Sequence, residues 1–300
     1  MSPRVSVLVP AYKRVDTIVE AVSSALDQTF TDLEVIVVDD CSQDGTREAL
    51  ATISDPRLTL LTHDTNQGGN AARRTAINAS RGAFLAFLDA DDLWMPTKIE
   101  KQVAALEAGG PRAGICYSWY DLRYPDGRID AGRRPTAEGV ATPELLQGNV
   151  VGTFSVVMIR REVIDAVGVP DPTLRSCQDW EFYIRANETF DLVCVPEVLT
   201  LYWRDDDDEH RISASAEKVV DGHRAVYERI VDRISALPPA QSAAGRRYFL
   251  ETFANHADVR AVAGVATDAR VRDLTLDEVR HIARMVARAT RKSAEQIRRR

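Results

Sequence analysis

Two carboxylates set two residues apart, Asp89 and Asp91, close the apolar run Phe84-Leu85-Ala86-Phe87-Leu88, and a third, Asp92, follows at once. In extended backbone, residues two apart project to the same side, so the pair can address one cation or one polyol together. Hard oxygen donors suit Mg²⁺ or Mn²⁺, ions that usually keep one or two protein carboxylates and complete their shell with phosphate and water. The same residues alone also read as a turn and helix cap ahead of Pro96, so the neighbouring motifs must decide. Asp40 ends a second apolar run, Leu33 to Val38, and can accept a hydrogen bond from the imide N–H of uracil or thymine; the capping role there suits Asp44 better. Pro10, Ala11 and Tyr12 follow the first run, and Tyr12 offers a ring to pack on a base. Arg73 would give phosphate or a base carbonyl a fixed cationic fork, although Arg74 stands beside it and the choice between them stays open.

The elements that must position these groups follow from periodicity. Val5 to Val9, Leu33 to Val38, Arg57 to Leu61 and Phe84 to Leu88 read as strands, with helical patterns between them and after Pro96. Thr17 with Glu20, and Thr275 with Glu278, have the spacing of capping boxes. The βαβαβαβ rhythm predicts a parallel sheet with right-handed crossovers and ligands at the carboxyl ends of its strands. From Trp119 the rhythm changes, because Tyr124-Pro125-Asp126-Gly127-Arg128 is a hairpin signal. Ser155–Ile159, Leu192–Val195 and Leu199–Trp203 are further strands, Arg161–Val167 and Asp179–Ala186 helices, and beyond the acidic run 205–209 the pattern is helical: 215–234, 240–263 and 275–289.

Composition narrows the class. With 300 residues and 45% apolar content the chain can bury a full core. A net charge of −7 argues against a nucleic-acid partner. Val5–Val9 is too short for a signal peptide's apolar core, and no apolar run approaches the ~20 residues of a membrane span, so a soluble, cytoplasmic protein is expected. The four cysteines show no Cys-x-x-Cys pairing and are expected to be reduced. Against this acidic background Arg280, Arg284, Arg288 and Arg291 recur at helical spacing. Such a stripe leaves open peripheral contact with the inner face of a membrane, or a homo-oligomer formed through the C-terminal helices.

Taken together, Val7-Leu8-Val9-Pro10-Ala11-Tyr12, Val37 to Thr46, Asn66-Gln67-Gly68 leading to Ala72-Arg73, and Asp89-Ala90-Asp91-Asp92 resemble the family 2 glycosyltransferases. The resemblance covers the first ~120 residues in order and spacing, continues more weakly through Gln178-Asp179-Trp180-Glu181 to His210, and is to a family with α/β GT-A architecture. It implies a metal-dependent inverting enzyme that moves a sugar from a UDP- or dTDP-type donor to a carbohydrate, lipid-linked or small-molecule acceptor hydroxyl, as in polysaccharide or glycoconjugate synthesis. Asp40, Arg73, Pro10, Ala11 and Tyr12 would hold the nucleotide, Asp89 the ribose and Asp91 the Mn²⁺ or Mg²⁺. His210 matches a histidine of a loop closing over the diphosphate, with a part in holding metal or phosphate. Asp179 matches the catalytic carboxylate that takes the acceptor proton, and Asp92 is read as a helix cap. The expected organisation is one mostly parallel Rossmann-like sheet with helices on both faces: a catalytic domain over 1–210 (nucleotide half 1–118, acceptor half 119–210) and a helical region over 211–300. The alternative is a non-catalytic nucleotide-sugar-binding or assembly protein of the same fold. A nucleotidyltransferase would need a glycine-rich loop where Pro10-Ala11-Tyr12-Lys13-Arg14 stands, and no Gly-x-Gly-x-x-Gly follows any strand.

Overall fold

The computed structural model of the chain describes residues 2–205, 207, 208, 211, 215–256, 258–268 and 276–298. Contacts divide the chain into two compact units, Met1–Ala141 with Val150–Pro172 and Glu181–Asp208, and Thr142–Asn149 with Thr173–Trp180 and Glu209–Arg300.

The first unit opens with the expected alternation: β1 (Val5–Ala11), α1 (Ile18–Leu26), β2 (Leu33–Asp39), α2 (Thr46–Leu50), β3 (Leu58–Thr62), α3 (Gly69–Ala79) and β4 (Phe84–Phe87). It continues with β5 (Leu93–Trp94), α4 (Lys98–Ala108), β6 (Ala113–Arg123) and β7 (Ile129–Asp130). Beyond α5 (Thr142–Leu145), which belongs to the second unit, come a 3-10 turn at Phe154–Val156, β8 (Val157–Arg160), α6 (Arg161–Val167), α7 (Gln178–Ala186) and β9 (Asp191–Trp203). The sheet runs β3-β2-β1-β4-β8-β6-β9-β5, with β7 pairing β6. β1 to β4 are mutually parallel, β8 is antiparallel to both its neighbours, and β6 and β9 are again parallel. β1 is buried apart from Pro10 because it sits between β2 and β4: Val5, Val7 and Val9 pack with Ile18, Ala21, Val22 and Ala25 of α1. Such burial on both faces is why the strand reads as an unbroken apolar run. Gly82 lets the segment before β4 lie on β1, since a Cβ there would stand 2.5 Å from Ser6 N.

Several local expectations fail for identifiable reasons. Thr17 precedes α1 but makes no capping bond; its hydroxyl donates to Ala90 O at 3.0 Å, and Glu20 is taken by Arg123. Asp92 does not cap α4, which starts at Lys98 behind Thr97; it is fully buried and accepts Trp203 N at 2.8 Å. The two strands expected at 192–203 are one, because bulges in the β6–β9 ladder absorb Pro196 and let pairing continue.

The second unit is helical, with α8 (Ala216–Ala236), α9 (Pro239–Asn255), α10 (Val259–Thr267) and α11 (Leu276–Arg298). The single helix expected over 240–263 is two, because Asp258 starts α10 by accepting Ala261 N. Trp180, at the end of the first turn of α7, stacks on Phe249 of α9 at 5.4 Å and donates Nε1–H to Leu145 O. Arg280, Arg284, Arg288 and Arg291 of α11 are all exposed, while Ala289 is buried. Thr275 and its capping box lie outside the described residues. Among the described residues no helix is long and apolar enough to cross a membrane.

Candidate active site

β1, β2 and β4 end side by side, and the loops after them bring the acidic motifs together. Asp40 is 1% exposed and is held by three protein donors. Gln67 N and Gly68 N reach its two oxygens at 2.9 and 2.7 Å, and His63 Nδ1–H donates to Oδ1 at 2.7 Å, while His63 Nε2 is hydrogen-bonded with the Thr75 hydroxyl at 2.9 Å. Of the roughly four lone-pair sites of a carboxylate, one remains. The Gly68 φ of +91° is what allows the loop to turn both amides inward.

Arg73, one turn into α3, is buried, whereas Arg74 beside it is exposed. The Arg73 guanidinium lies over the Phe154 ring at 4.6 Å and donates to Asp89 Oδ1 at 2.5 Å and Asn70 Oδ1 at 3.1 Å. Asp89 is further fixed by Ser155 Oγ, which accepts its amide at 2.9 Å, and by the Thr153 hydroxyl on Oδ2 at 3.3 Å.

Asp91 is governed by a residue the sequence did not single out. Arg14 pairs with Asp91 Oδ2 at 3.2 Å and with Asp208 Oδ2 at 3.0 Å, so one guanidinium joins two carboxylates from distant parts of the unit. The pull of Arg14 on Asp91 is outweighed: burial, with Asp89 and Asp208 adding repulsion, pushes the Asp91 carboxyl up to about 6. Burial together with Asp91 and Asp89 holds Asp92 well above the usual carboxylate range, and its Oδ2 is buried with no hydrogen-bond partner. Among the described residues no group of three or more His, Cys, Asp or Glu side chains could hold a metal by itself. Asp91 and Asp208 nevertheless fit a hard divalent ion, because they are carboxylate oxygen donors converging on one guanidinium. The sequence signals for Arg14 and Asp208 were the basic pair Lys13-Arg14 and the acidic run after β9, whose pairing no local pattern reveals.

Tyr12 is half-buried behind β1, with Lys13 in a left-handed conformation at φ +52° and its ammonium 5.5 Å from the Tyr12 ring. Pro10 and Ala11 pair with Val38 and Asp39, which places them beside the chain entering Asp40. In the second unit Asp179 stands in the first turn of α7, accepting Trp180 N on Oδ1 at 2.7 Å and Asn149 Nδ2–H on Oδ2 at 3.4 Å. Glu181, in the first unit, is 7% exposed and engaged by Arg185 through Nε at 2.7 Å and Nη2 at 3.0 Å. His210 lies outside the described residues.

Known proteins resemble the chain in fold and in sequence. TarS of S. aureus, in its crystal structure with UDP-GlcNAc, superposes with a TM-score of 0.64 at 17% identity, covering 100% of this chain and 92% of that one. The mannosyltransferase PcManGT of Pyrobaculum calidifontis, solved with GDP-Man and Mn²⁺, gives 0.57 at 19% identity, over 97% and 87% of the two chains. These likenesses show the fold, which is GT-A. In sequence, the chain is 34% identical over 179 residues to TuaG of Bacillus subtilis, a putative teichuronic acid biosynthesis glycosyltransferase, covering 59% of this chain and 69% of the relative. It is 32% identical over 156 residues to WfgD of Escherichia coli, a UDP-Glc:alpha-D-GlcNAc-diphosphoundecaprenol beta-1,3-glucosyltransferase, covering 52% and 60%. It is 42% identical over 126 residues to the succinoglycan biosynthesis protein ExoO of Rhizobium meliloti, covering 42% of this chain but 36% of that protein. Residues 6–168 match the profile described as Glycosyl transferase family 2, and with that match spanning more than half its length the chain belongs to this family and is a glycosyltransferase.

Proposed function

We propose that this glycosyltransferase takes its sugar from a nucleoside-diphosphate sugar bound across the ends of β1, β2 and β4, and passes it with inversion to a hydroxyl acceptor in polysaccharide or glycoconjugate synthesis. The observation that carries the reading is the convergence of Arg14, Arg73, Asp89, Asp91 and Asp208 in one unit, two cationic forks among carboxylates at strand ends. In this reading the last lone pair of Asp40 accepts the imide N–H of a uracil or thymine base, with Pro10, Ala11 and Tyr12 beside the ring. Arg73 and Asp89 hold the ribose and phosphate end. A divalent cation held by Asp91 and Asp208 would supply Lewis-acid neutralisation of the departing diphosphate. Asp179 takes the proton of the acceptor hydroxyl as its oxygen bonds to the anomeric carbon and the bond from that carbon to the diphosphate breaks. The bidentate hold of Arg185 on Glu181 leaves that neighbour poorly suited to the role. The relatives named for teichuronic acid, succinoglycan and diphosphoundecaprenol support an envelope or exopolysaccharide setting. The exposed arginines of α11 support docking at an anionic membrane surface where a lipid-linked acceptor would lie, and binding to anionic but not neutral vesicles at low salt tests it.

The decisive experiment is a thermal-shift panel of UDP-, dTDP- and GDP-sugars with Mn²⁺. A ligand at 100 times its dissociation constant stabilises by about 2.7 kcal/mol, a readily measured shift. If no nucleotide sugar stabilises the protein, the reading fails; stabilisation with no turnover on any acceptor favours a binding protein. Asp179→Asn is expected to fold, bind donor near-normally and lose ~10²–10⁴ in turnover. Normal turnover in that variant would move the base elsewhere.

A further inference from the structure

In the second unit, the three residues ahead of α7 are seated one after another on α8. Arg175 Nη1 donates to Glu217 at 2.9 Å and Asp221 at 3.0 Å, the Ser176 hydroxyl donates to Lys218 O at 2.8 Å, and Cys177 Sγ lies 3.2 Å from His223 Nδ1. The ion pairs of Arg175 are exposed and hold little by themselves. The fit beneath Ser176 says more. Gly222 stands inside a 21-residue helix, where glycine is a poor helix former, and a Cβ there would run into the Ser176 hydroxyl and stand 2.7 Å from Ser176 O. The helix gives up propensity at the turn that Ser176 crosses.

Cys177 carries a second mark of constraint. Its φ of +58° lies in the left-handed region, which is uncommon for a residue with a side chain and persists only where the surroundings over-determine it. Burial and the nearby Asp179 charge push its thiol up to about 12, and burial lowers His223, so the two meet as neutral groups. The imidazole is fixed in turn by Val219 O, 2.8 Å from the same Nδ1. His223 also touches the chain on the far side of Asp179. Its ring centroid is 5.9 Å from that of Trp180, which is 1% exposed and packs on Tyr248 at 5.1 Å and Phe249 at 5.4 Å. Gln178-Asp179 is therefore a two-residue span with both flanking residues held against one imidazole of α8.

We propose that Gly222 and His223 of α8 are positioning residues for the reaction, holding the Asp179 carboxylate in place through Ser176 and Cys177. A general base must stand within hydrogen-bond reach of the proton it takes, and a misplacement of ~1 Å can cost ~10² in rate. The close approach at Gly222 sets how near the segment lies to the helix, and the Cys177 contact with His223 sets how the chain turns into α7. On this account the helical unit serves the chemistry itself. The proposal rests on the reading of Asp179 as the base, and its test keeps the two apart.

The full-length protein with Mn²⁺ is given UDP-glucose, UDP-GlcNAc, dTDP-glucose and GDP-mannose in turn, with water and octyl β-D-glucopyranoside as acceptors, and release of the nucleoside diphosphate is followed. Cys177→Gly drops the thiol and accepts the left-handed backbone without strain, so its fold should hold. Its kcat is expected to fall ~10–100-fold, with donor KM and calorimetric UDP affinity within about twofold of the wild type. Gly222→Ala should behave alike, and Cys177→Ser, which keeps a polar group against His223, should stay within about threefold of the wild type. Asp179→Asn placed on Cys177→Gly should cost at least about tenfold less than it costs alone, because the base is already displaced. Wild-type kcat in both Cys177→Gly and Gly222→Ala, or an undiminished cost of Asp179→Asn in the Cys177→Gly background, overturns the positioning role and leaves Asp179 as the base. A loss carried by donor KM or UDP affinity overturns it as well, since the segment then serves binding. Asp179→Asn turning over like the wild type overturns the base reading and this proposal with it, and release from none of the donors by the wild type overturns the donor reading beneath both.

Discussion

Asp40 and Asp91 follow strands that flank β1 on either side, yet they are held in opposite ways. Asp40 is surrounded by donors: two backbone amides and an imidazole converge on it, and the loop carrying Gln67 and Gly68 is pinned as a result. Asp91 lies near the carboxylates of Asp89 and Asp208, and the Arg14 guanidinium is divided between it and Asp208. Three of the roughly four lone pairs in the first environment are taken within the protein, whereas in the second burial and neighbouring carboxylates outweigh the pull of Arg14 on Asp91. The same residue type therefore acts as a strut in one loop and as an unbalanced charge in the other, and each should respond differently to removal.

The largest expected effect is on turnover at the unbalanced site. Asp91→Ala should lose ~10²–10³ in donor turnover at saturating Mn²⁺, the scale of losing one electrostatic stabiliser of a developing charge. Its melting temperature should hold or rise, because repulsion with Asp89 and Asp208 is relieved. Unaltered turnover would remove Asp91 from the chemistry. Asp40→Ala should show the reverse emphasis, a stability loss of about 2–4 kcal/mol by urea unfolding as buried donors lose their acceptor. If Asp40→Ala is as stable as the wild type, the strut reading is wrong. Arg14→Met sharpens the contrast further, since it strips the shared cation from Asp91 and Asp208. Its melting temperature without metal should fall by about 2–4 °C, and added Mn²⁺ should recover more than it adds to the wild type. Equal Mn²⁺ shifts in both proteins would separate Arg14 from the cation site.

The smallest effect extends the comparison to a buried cation. Lys98 is fully buried in α4, with its ammonium 4.1 Å over the Trp94 ring and hydrogen-bonded to Gln102 at 2.6 Å, and burial lowers it to about 7. Since an unfolded lysine titrates near 10.5, unfolding takes up a proton between those values. Stability should therefore climb with pH across that window, with the penalty full below it. Lys98→Met should melt about 2–5 °C above the wild type at pH 6.5 and lose that lead by pH 10. A gap that does not change with pH would mean Lys98 is stabilised as a cation by Trp94 and Gln102.

Much of this architecture was legible because its signals are local. The apolar run into Asp89 is a strand buried on both faces, and a carboxylate after such a strand can only emerge at the ligand-binding edge. Arg73 was visible as one of two candidates, and burial alone separates it from Arg74. Illegible were the partners that arrive from afar. Arg14 and Asp208 meet through the fold, and neither carries a pattern that names the other. Thr17 and Asp92 misled for the same reason: each has the chemistry of a cap, but a long-range partner, Ala90 O or Trp203 N, claims it first. Local propensity yields wherever a tertiary bond competes for the same atom.

The two-residue length of β5 has a consequence for how copies of this chain can meet. A sheet edge with a row of unpaired amides and carbonyls can recruit another chain, and very short terminal strands are one way of blunting it. At the β5 end the outermost strand stops after Leu93 and Trp94, and Trp94 is buried, so little backbone is presented there. The opposite border is β3, five residues long, with Thr59 and Thr62 exposed and Arg57 paired to Asp55 at its entry. Strand addition between copies, if conditions force it, is therefore directed to β3, and a lysine introduced at Thr59 would be the economical guard against it.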